Sequence, residues 1–261
     1  YSITNAYWSP YSLIERPLLG NADRLVYSMY SKKALEKNYL RYVSKFLRDY
    51  NYILTENNTD IVESIEEMYC NGDFTLFADL PELAPVSKLR PNERYIGPIT
   101  GKIKKFLSPE TEEAIAKIKK VKDTSNSLIV YLSLGSLGNY EVLKNCFCVL
   151  SEINAKVFIT AAEEVIDELP ENVYMYKYLY VDYILPFIDL AITNGGSGAN
   201  YQAYEHNVKL IALPSNVDQL LSCSMIEIQN AGIVITRNNA NDFDTLLDAV
   251  LKISNFKREE R

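Results

Sequence analysis

An apolar run that halts at glycines and resumes as a helix constrains this chain more than any other feature. Leu190-Ala191-Ile192-Thr193 runs into Asn194-Gly195-Gly196-Ser197-Gly198, then a helix-like stretch from Ala199 to Glu205, then Leu210-Ile211-Ala212-Leu213 and Pro214. Strand, tight turn, helix and strand make the repeating unit of a parallel α/β sheet. Glycine lets the backbone approach a ligand closely, and a helix N-terminus directs its N–H groups at an anion. The chain holds only 10 glycines in 261 residues, and three fall within these few positions. The segment therefore reads as a phosphate site, with Ser197 adding a hydroxyl. The plain alternative is a strand-to-helix turn that binds nothing.

The same alternation fills the second half of the chain. Apolar segments predict strands at 128–134, 156–160, 173–176, 190–193, 210–213 and 233–236. Helical spacing predicts helices at 140–153, 162–169, 199–205, 219–229 and 242–253, with a short one before Phe187. A parallel sheet covered on both faces follows, and ligands of such sheets sit beyond the carboxyl ends of the strands. The loops after Leu134, Thr193 and Leu213 all fall there.

The first hundred residues read less regularly. A strand at 2–6 leads into the aromatic loop Tyr7-Trp8-Ser9-Pro10-Tyr11. A helix is expected over 31–47 with Leu35, Tyr39, Tyr42, Val43 and Phe46 on one face. A second is expected from an Asp60 cap to Met68, with Ile61, Ile65 and Met68 inward. Strands are expected at 74–78 and 95–97. Between the halves, Ser108-Pro109 reads as an N-cap with proline at the first helical position, and Glu110, Glu112 and Glu113 complement the positive helix end. The lysines from Lys102 to Lys122 read as the solvated face of a linker helix.

Bulk properties exclude several classes. A net charge of −7 and a pI near 5.0 leave no global basic field to attract nucleic acid. No apolar run reaches the roughly 18–20 residues of a membrane span. Cys70, Cys146, Cys148 and Cys223 form neither a disulfide framework nor a metal knuckle, which points to reduced thiols and a cytoplasmic setting.

At the Gly-rich turn the chain resembles the UDP-glycosyltransferases and their macrolide and antibiotic glycosyltransferase relatives. Their signature is His-Gly-Gly-x-Gly-Thr, then Glu-Ala, an apolar strand ending in proline, and Asp-Gln. Here the series is Asn194-Gly195-Gly196-Ser197-Gly198-Ala199, Gln202-Ala203, Leu210–Pro214 and Asp218-Gln219. Ile129 to Gly138 is similar to the first strand and loop of that family's C-terminal domain. Leu80-Pro81-Glu82-Leu83 and Tyr95-Ile96-Gly97-Pro98 are similar to the end of its N-terminal domain. The resemblance implies an α/β, GT-B-like fold of two Rossmann-like domains with parallel sheets, the N-terminal one incomplete. Residues 1–100 would be the second half of an acceptor-binding domain, 101–127 a linker, and 128–261 a nucleotide-sugar domain.

The implied activity is inverting transfer of a hexose from a UDP- or related NDP-sugar to a small hydroxylated acceptor, with no metal or other cofactor. The implied donor-binding residues are Gly135, Ser136, Tyr180, Val181, Asn194, Gly195, Gly196, Ser197, Gly198, Gln202, Asp218 and Gln219, and Trp8 and Tyr11 are acceptor-side candidates. The family's histidine base would lie upstream of Tyr1, because the chain reads as a fragment beginning inside a strand. His206, the one histidine, reads instead as a helix-end residue complementing the dipole, with Asn207 as a left-handed cap. Three departures retune the donor site. Asn194 replaces a histidine, Ala199 a threonine, and Gln202 a glutamate that accepts from ribose hydroxyls; the family Pro-Gln falls near Tyr180-Val181, leaving base recognition to aromatic or backbone groups. These changes motivate an alternative, a catalytically silent binding or regulatory subunit. An epimerase on the same fold is a third reading, disfavoured by Asp218-Gln219. The oligomeric state is not legible.

Overall fold

The computed structural model describes residues 1–14, 32–100, 107–135, 140–160 and 169–259. The chain divides into two compact units, Tyr1–Ile99 with Asn216–Met225, and Thr100–Ser215 with Ile226–Arg261. The elements in chain order are β1 (Ser2–Thr4), α1 (Lys32–Glu56), α2 (Ile65–Tyr69), β2 (Thr75–Phe77), β3 (Glu93–Tyr95), α3 (Pro109–Thr124), β4 (Ile129–Ser133), α4 (Tyr140–Glu152), β5 (Lys156–Thr160), β6 (Val173–Tyr176), α5 (Val181–Ile184), β7 (Leu190–Thr193), α6 (Ser197–Glu205), β8 (Lys209–Ala212), α7 (Val217–Ile228), β9 (Gly232–Val234), α8 (Arg237–Ala240) and α9 (Phe243–Glu259). Among the described residues no helix is long and apolar enough to cross a membrane.

The second unit holds a six-stranded parallel sheet in the order β6-β5-β4-β7-β8-β9. Successive strands run outward from β4 in one direction, and then from β7 in the other. This is the doubly wound order, and its reversal lies between β4 and β7. Both central strands are buried on both faces, as their continuous apolar runs require. Val130, Leu132, Leu190 and Ile192 pack against Val142, Cys146, Phe147 and Leu150 of α4, and against Leu246, Val250 and Ile253 of α9. Burial pushes the Cys146 thiol up to about 12, so it stays protonated in the core.

Helix boundaries follow local chemistry. Ser108 caps α3 by accepting from the Thr111 amide at 3.2 Å, with Pro109 next, as expected. The helix is more than a solvated linker, since Ala114 and Ile118 are fully buried. Four asparagines, Asn58, Asn154, Asn207 and Asn230, take the left-handed conformation, which asparagine tolerates better than most side chains. Each lies a residue or two beyond a helix.

The first unit has a three-stranded parallel sheet, β1-β2-β3. Three expectations change here. The last strand is Glu93–Tyr95, because Gly97 turns the chain at φ +80° and Ile96 is exposed. No helix begins at Asp60. The Asn51 side chain donates to the Val62 carbonyl and accepts from its amide at 2.8 and 2.9 Å, so this stretch is held open, and Ser64 caps α2 instead. Ile61 is exposed while Ile65 is buried. Helix α1 runs to Glu56, nine residues beyond the expected end; Val43 and Leu47 pack inward, but Phe46 is exposed. The expected helix at 162–169 falls largely outside the described residues.

Two outcomes follow from this packing. A Cβ on Gly232 would sit 2.0 Å from the Leu210 carbonyl oxygen in the neighbouring strand. Gly232→Ala is expected to destabilise the protein by about 2–3 kcal/mol, read as a lowered urea midpoint at unchanged m-value. Tyr95 and Tyr176 are both pushed from 10.0 up to about 12, chiefly by burial, then for Tyr95 by Asp79 and for Tyr176 by Glu113. The folded state keeps two protons that the unfolded chain releases above pH 10. Their contribution is fully present below pH 10 and lost as pH rises through 12. Thermal melts across pH 9–12 should show this decline, and Tyr95→Phe with Tyr176→Phe should flatten it.

Candidate functional site

At the sheet's reversal the loops after β4 and β7 meet. Gly135 follows Ser133 and Leu134 with φ +71°, and a Cβ built on it would lie 2.8 Å from Asn194 Nδ2. Glycine is needed there twice, for its dihedral and for the space that the Asn194 side chain occupies. The structure thus brings together two of the loops singled out in the sequence. Ser136 lies outside the described residues.

The turn after β7 is built by its own side chains. Gly195 takes φ +73°, and its amide donates to Thr193 Oγ1 at 3.1 Å. The Gly196 amide donates to Asn194 Oδ1 at 3.2 Å. Asn200 Nδ2 donates to the Gly195 carbonyl at 3.0 Å from the buried side of α6. The expected fan of backbone donors across 194–198 is therefore narrower than the sequence suggested, since Gly195 and Gly196 already bond within the turn. What remains is specific. Gly196 is the N-cap of α6 and has no side chain to cap it. The backbone amides of Gly198 and Ala199 have no partner among the described residues. A Cβ on Gly198 would meet nothing within 4 Å, so the space beside it is open. Because Asn194 commits its oxygen to Gly196, its NH2 end is the donor left over.

A second feature lies at the same edge of the sheet. A cavity of about 290 Å³ is lined by Tyr131 of β4, Thr160 of β5, Tyr178, Tyr180, Asp182 and Gln202, among others. Tyr131 Oη and Thr160 Oγ1 are 3.1 Å apart, and Thr160 Oγ1 is 3.3 Å from Ser133 Oγ. Burial raises the Tyr131 pKa, holding the phenol neutral. Tyr178 and Tyr180 meet edge to face at 5.2 Å. Tyr180 caps α5 and its amide donates to Thr111 Oγ1, so Tyr180 and Val181 are anchored from α3. Gln202 Nε2 donates to Asp182 Oδ2 at 3.1 Å, and His206 Nε2 lies 3.5 Å from Asp182 Oδ1. His206 stands at the end of α6, followed by Asn207 in the left-handed conformation as expected, but it also faces this carboxylate. Asp182, Tyr131 and Thr160 were missed in the sequence. Asp182 was detectable, as the carboxylate immediately after the Tyr180-Val181 pair.

In the first unit, Asn216 rather than Asp218 caps α7, by accepting from the Gln219 amide at 2.9 Å. The Asp218 carboxylate is thereby available for other work. Its Oδ1 accepts from Tyr7 Oη at 3.1 Å and from Trp8 Nε1 at 3.0 Å. Trp8 is buried and stacks on Tyr69 at 4.4 Å, while Tyr11 lies under the Lys88 ammonium at 4.3 Å. Trp8 is thus tied to the carboxylate, and Tyr11 is held in a separate contact.

The chain is similar to known proteins along its whole length. It is 26% identical over 265 residues to a "PGL/p-HBAD biosynthesis glycosyltransferase" of Mycobacterium tuberculosis, matching 100% of this chain and 60% of that protein. It is 27% identical over 241 residues to a "PGL/p-HBAD biosynthesis rhamnosyltransferase" of Mycobacterium bovis, matching 90% of this chain and 51% of that one. It thus spans little more than half the length of these relatives. Among solved structures, the spinosyn rhamnosyltransferase SpnG in complex with thymidine diphosphate superposes with a TM-score of 0.56 at 15% identity, covering 70% of this chain and 49% of that one, a likeness of fold. Residues 2–260 match the family described as UDP-glucoronosyl and UDP-glucosyl transferase, and with its doubly wound sheet and Gly-rich turn the chain belongs to that family.

Proposed function

We propose that the protein to which this chain belongs transfers a hexose from a UDP- or related NDP-sugar to a small hydroxylated acceptor with inversion at the anomeric carbon. The observation that carries this reading is the uncapped start of α6 at the point where the sheet order reverses. The Gly198 and Ala199 amides and Asn194 Nδ2 are donors for the diphosphate, and Ser197 supplies a hydroxyl. A helix N-terminus contributes roughly 0.3–1 kcal/mol toward an anion, and each hydrogen bond to a charged group about 1.5–3 kcal/mol. These donors gain most where charge develops on the leaving diphosphate, which is how they would lower the barrier. The acceptor hydroxyl attacks in line as a base removes its proton. Asp218, already fixed through Oδ1 by Tyr7 and Trp8, keeps Oδ2 for sugar hydroxyls beside the Gln219 amide.

The second reading is a silent binding subunit, favoured by Asn194, Ala199 and Gln202 standing where the family pattern has other residues. Names of the relatives reported above, a glycosyltransferase and a rhamnosyltransferase, support the first reading.

Calorimetric titration with UDP and UDP-sugars tests the donor site. Saturable binding is expected, and Asn194→Ala should weaken UDP roughly tenfold, the worth of one hydrogen bond to a charged oxygen. No nucleoside diphosphate binding at millimolar concentration would overturn the proposal. Binding without sugar transfer by the full-length protein would favour the silent subunit.

A further inference from the structure

The Asp218 carboxylate is built into the first unit. Helix α7 follows β8 in the chain, yet Asn216–Met225 packs with Tyr1–Ile99. Leu221, buried on α7, joins Ala6, Tyr7, Trp8 and Phe77 in one apolar cluster, and Val217 packs against it. Tyr7 and Trp8 are thereby brought to Asp218 from more than two hundred residues away in sequence.

Both aromatic residues are placed to serve this carboxylate and not a ligand. Tyr7 is 0% and Trp8 7% exposed, so neither ring is open to an acceptor. Their polar atoms converge instead on Asp218 Oδ1, with Tyr7 Oη donating at 3.1 Å and Trp8 Nε1 at 3.0 Å. The turn that carries them is fixed in its own right. Asp79, fully buried, accepts from Asn5 Nδ2 at 3.0 Å and from the Ala6 amide. The Trp8 ring stacks on Tyr69 at 4.4 Å with 15° between the planes, and Cys70 Sγ lies 3.9 Å from the Trp8 carbonyl oxygen. Asp218 itself is exposed, and Oδ2 takes no hydrogen bond among the described residues. A carboxylate at an exposed helix start samples several rotamers. Two donors on Oδ1 settle its orientation on folding, so that freedom is not lost again when hydroxyls bind Oδ2.

We propose that Tyr7 and Trp8 are positioning residues for the donor sugar, acting through Asp218, and that Trp8 makes no contact with the acceptor. This rests on the donor-sugar reading of Asp218 given above. Removing either donor leaves the charge in place but frees the carboxylate to turn. The loss then falls on the ligand that carries a sugar and not on the nucleoside diphosphate alone.

Calorimetry on the whole chain with UDP and UDP-glucose tests this. Tyr7→Phe and Trp8→Phe each remove a donor and keep a ring. Each should weaken UDP-glucose about fivefold to tenfold, the worth of one hydrogen bond to a charged group, and leave UDP unchanged. In an Asp218→Ala background neither should weaken UDP-glucose further, because the three residues act as one unit. Trp8 is the one tryptophan of the chain, so its indole N–H gives a single NMR signal. In the wild type that signal should move at saturating UDP-glucose and stay in place with UDP, a readout that holds even if Trp8→Phe fails to fold. With the loss in Asp218→Ala established, three results overturn the inference: equal weakening of both ligands, additive losses with Asp218→Ala, or an indole signal unmoved by UDP-glucose. UDP-glucose affinity untouched by Asp218→Ala overturns instead the sugar role of Asp218, and no binding of either ligand by the wild type overturns the donor-site reading.

Discussion

The second unit depends on one close approach, Gly135 against Asn194. The strands β4 and β7 are neighbours in space but distant in sequence, and their outgoing loops must share the narrow space where the sheet reverses direction. They can do so only because Gly135 has no side chain and takes a left-handed φ. Asn194 fills the room, and its oxygen pins Gly196, which sets the start of α6. Strand order, glycine and asparagine together decide where backbone donors are left unspent. The chemistry of the site is what remains after the fold has satisfied itself, namely two helix amides and one side-chain NH2.

A similar logic governs the carboxylates. Asp79 is buried in the first unit and accepts from Asn5 Nδ2 and the Ala6 amide, fixing the turn that carries Tyr7 and Trp8. Those two aromatic residues in turn donate to Asp218. A charge at the head of α7 is thus held by a short relay beginning at the end of β2, and its geometry is set by packing rather than by capping. In the second unit Asp182 accepts from Gln202, and His206 Nε2 lies 3.5 Å from its other oxygen. Asp218 is oriented by the neutral donors Tyr7 and Trp8 rather than by Lys or Arg.

Much of the second unit was legible because its strands are buried on both faces. Continuous apolar runs such as Val130-Tyr131-Leu132 admit little besides a central parallel strand, and the helices between them carry clear 3.6-residue spacing. The glycine turn was legible for the same reason, since few other arrangements need three glycines. The first unit was harder to read. Its strands are three residues long, and its helix limits are set by the Asn51 side chain reaching Val62 eleven residues away, which periodicity does not register. In the site, the Gly195 and Gly196 amides were read as open because the sequence does not show Thr193 and Asn194 folding back on them. Asp182 was passed over because its meaning comes from Gln202 and His206, brought beside it only by the packing of α5 against α6.

The central claim is that a diphosphate is held by the amides at the start of α6 and by the Asn194 side chain. An amide-resolved NMR titration of the chain with UDP tests it most directly. The account predicts saturable shifts at the Gly198 and Ala199 backbone amides and at the Asn194 side-chain NH2, with one shared dissociation constant. Saturable binding of UDP that leaves all three signals unmoved would contradict it.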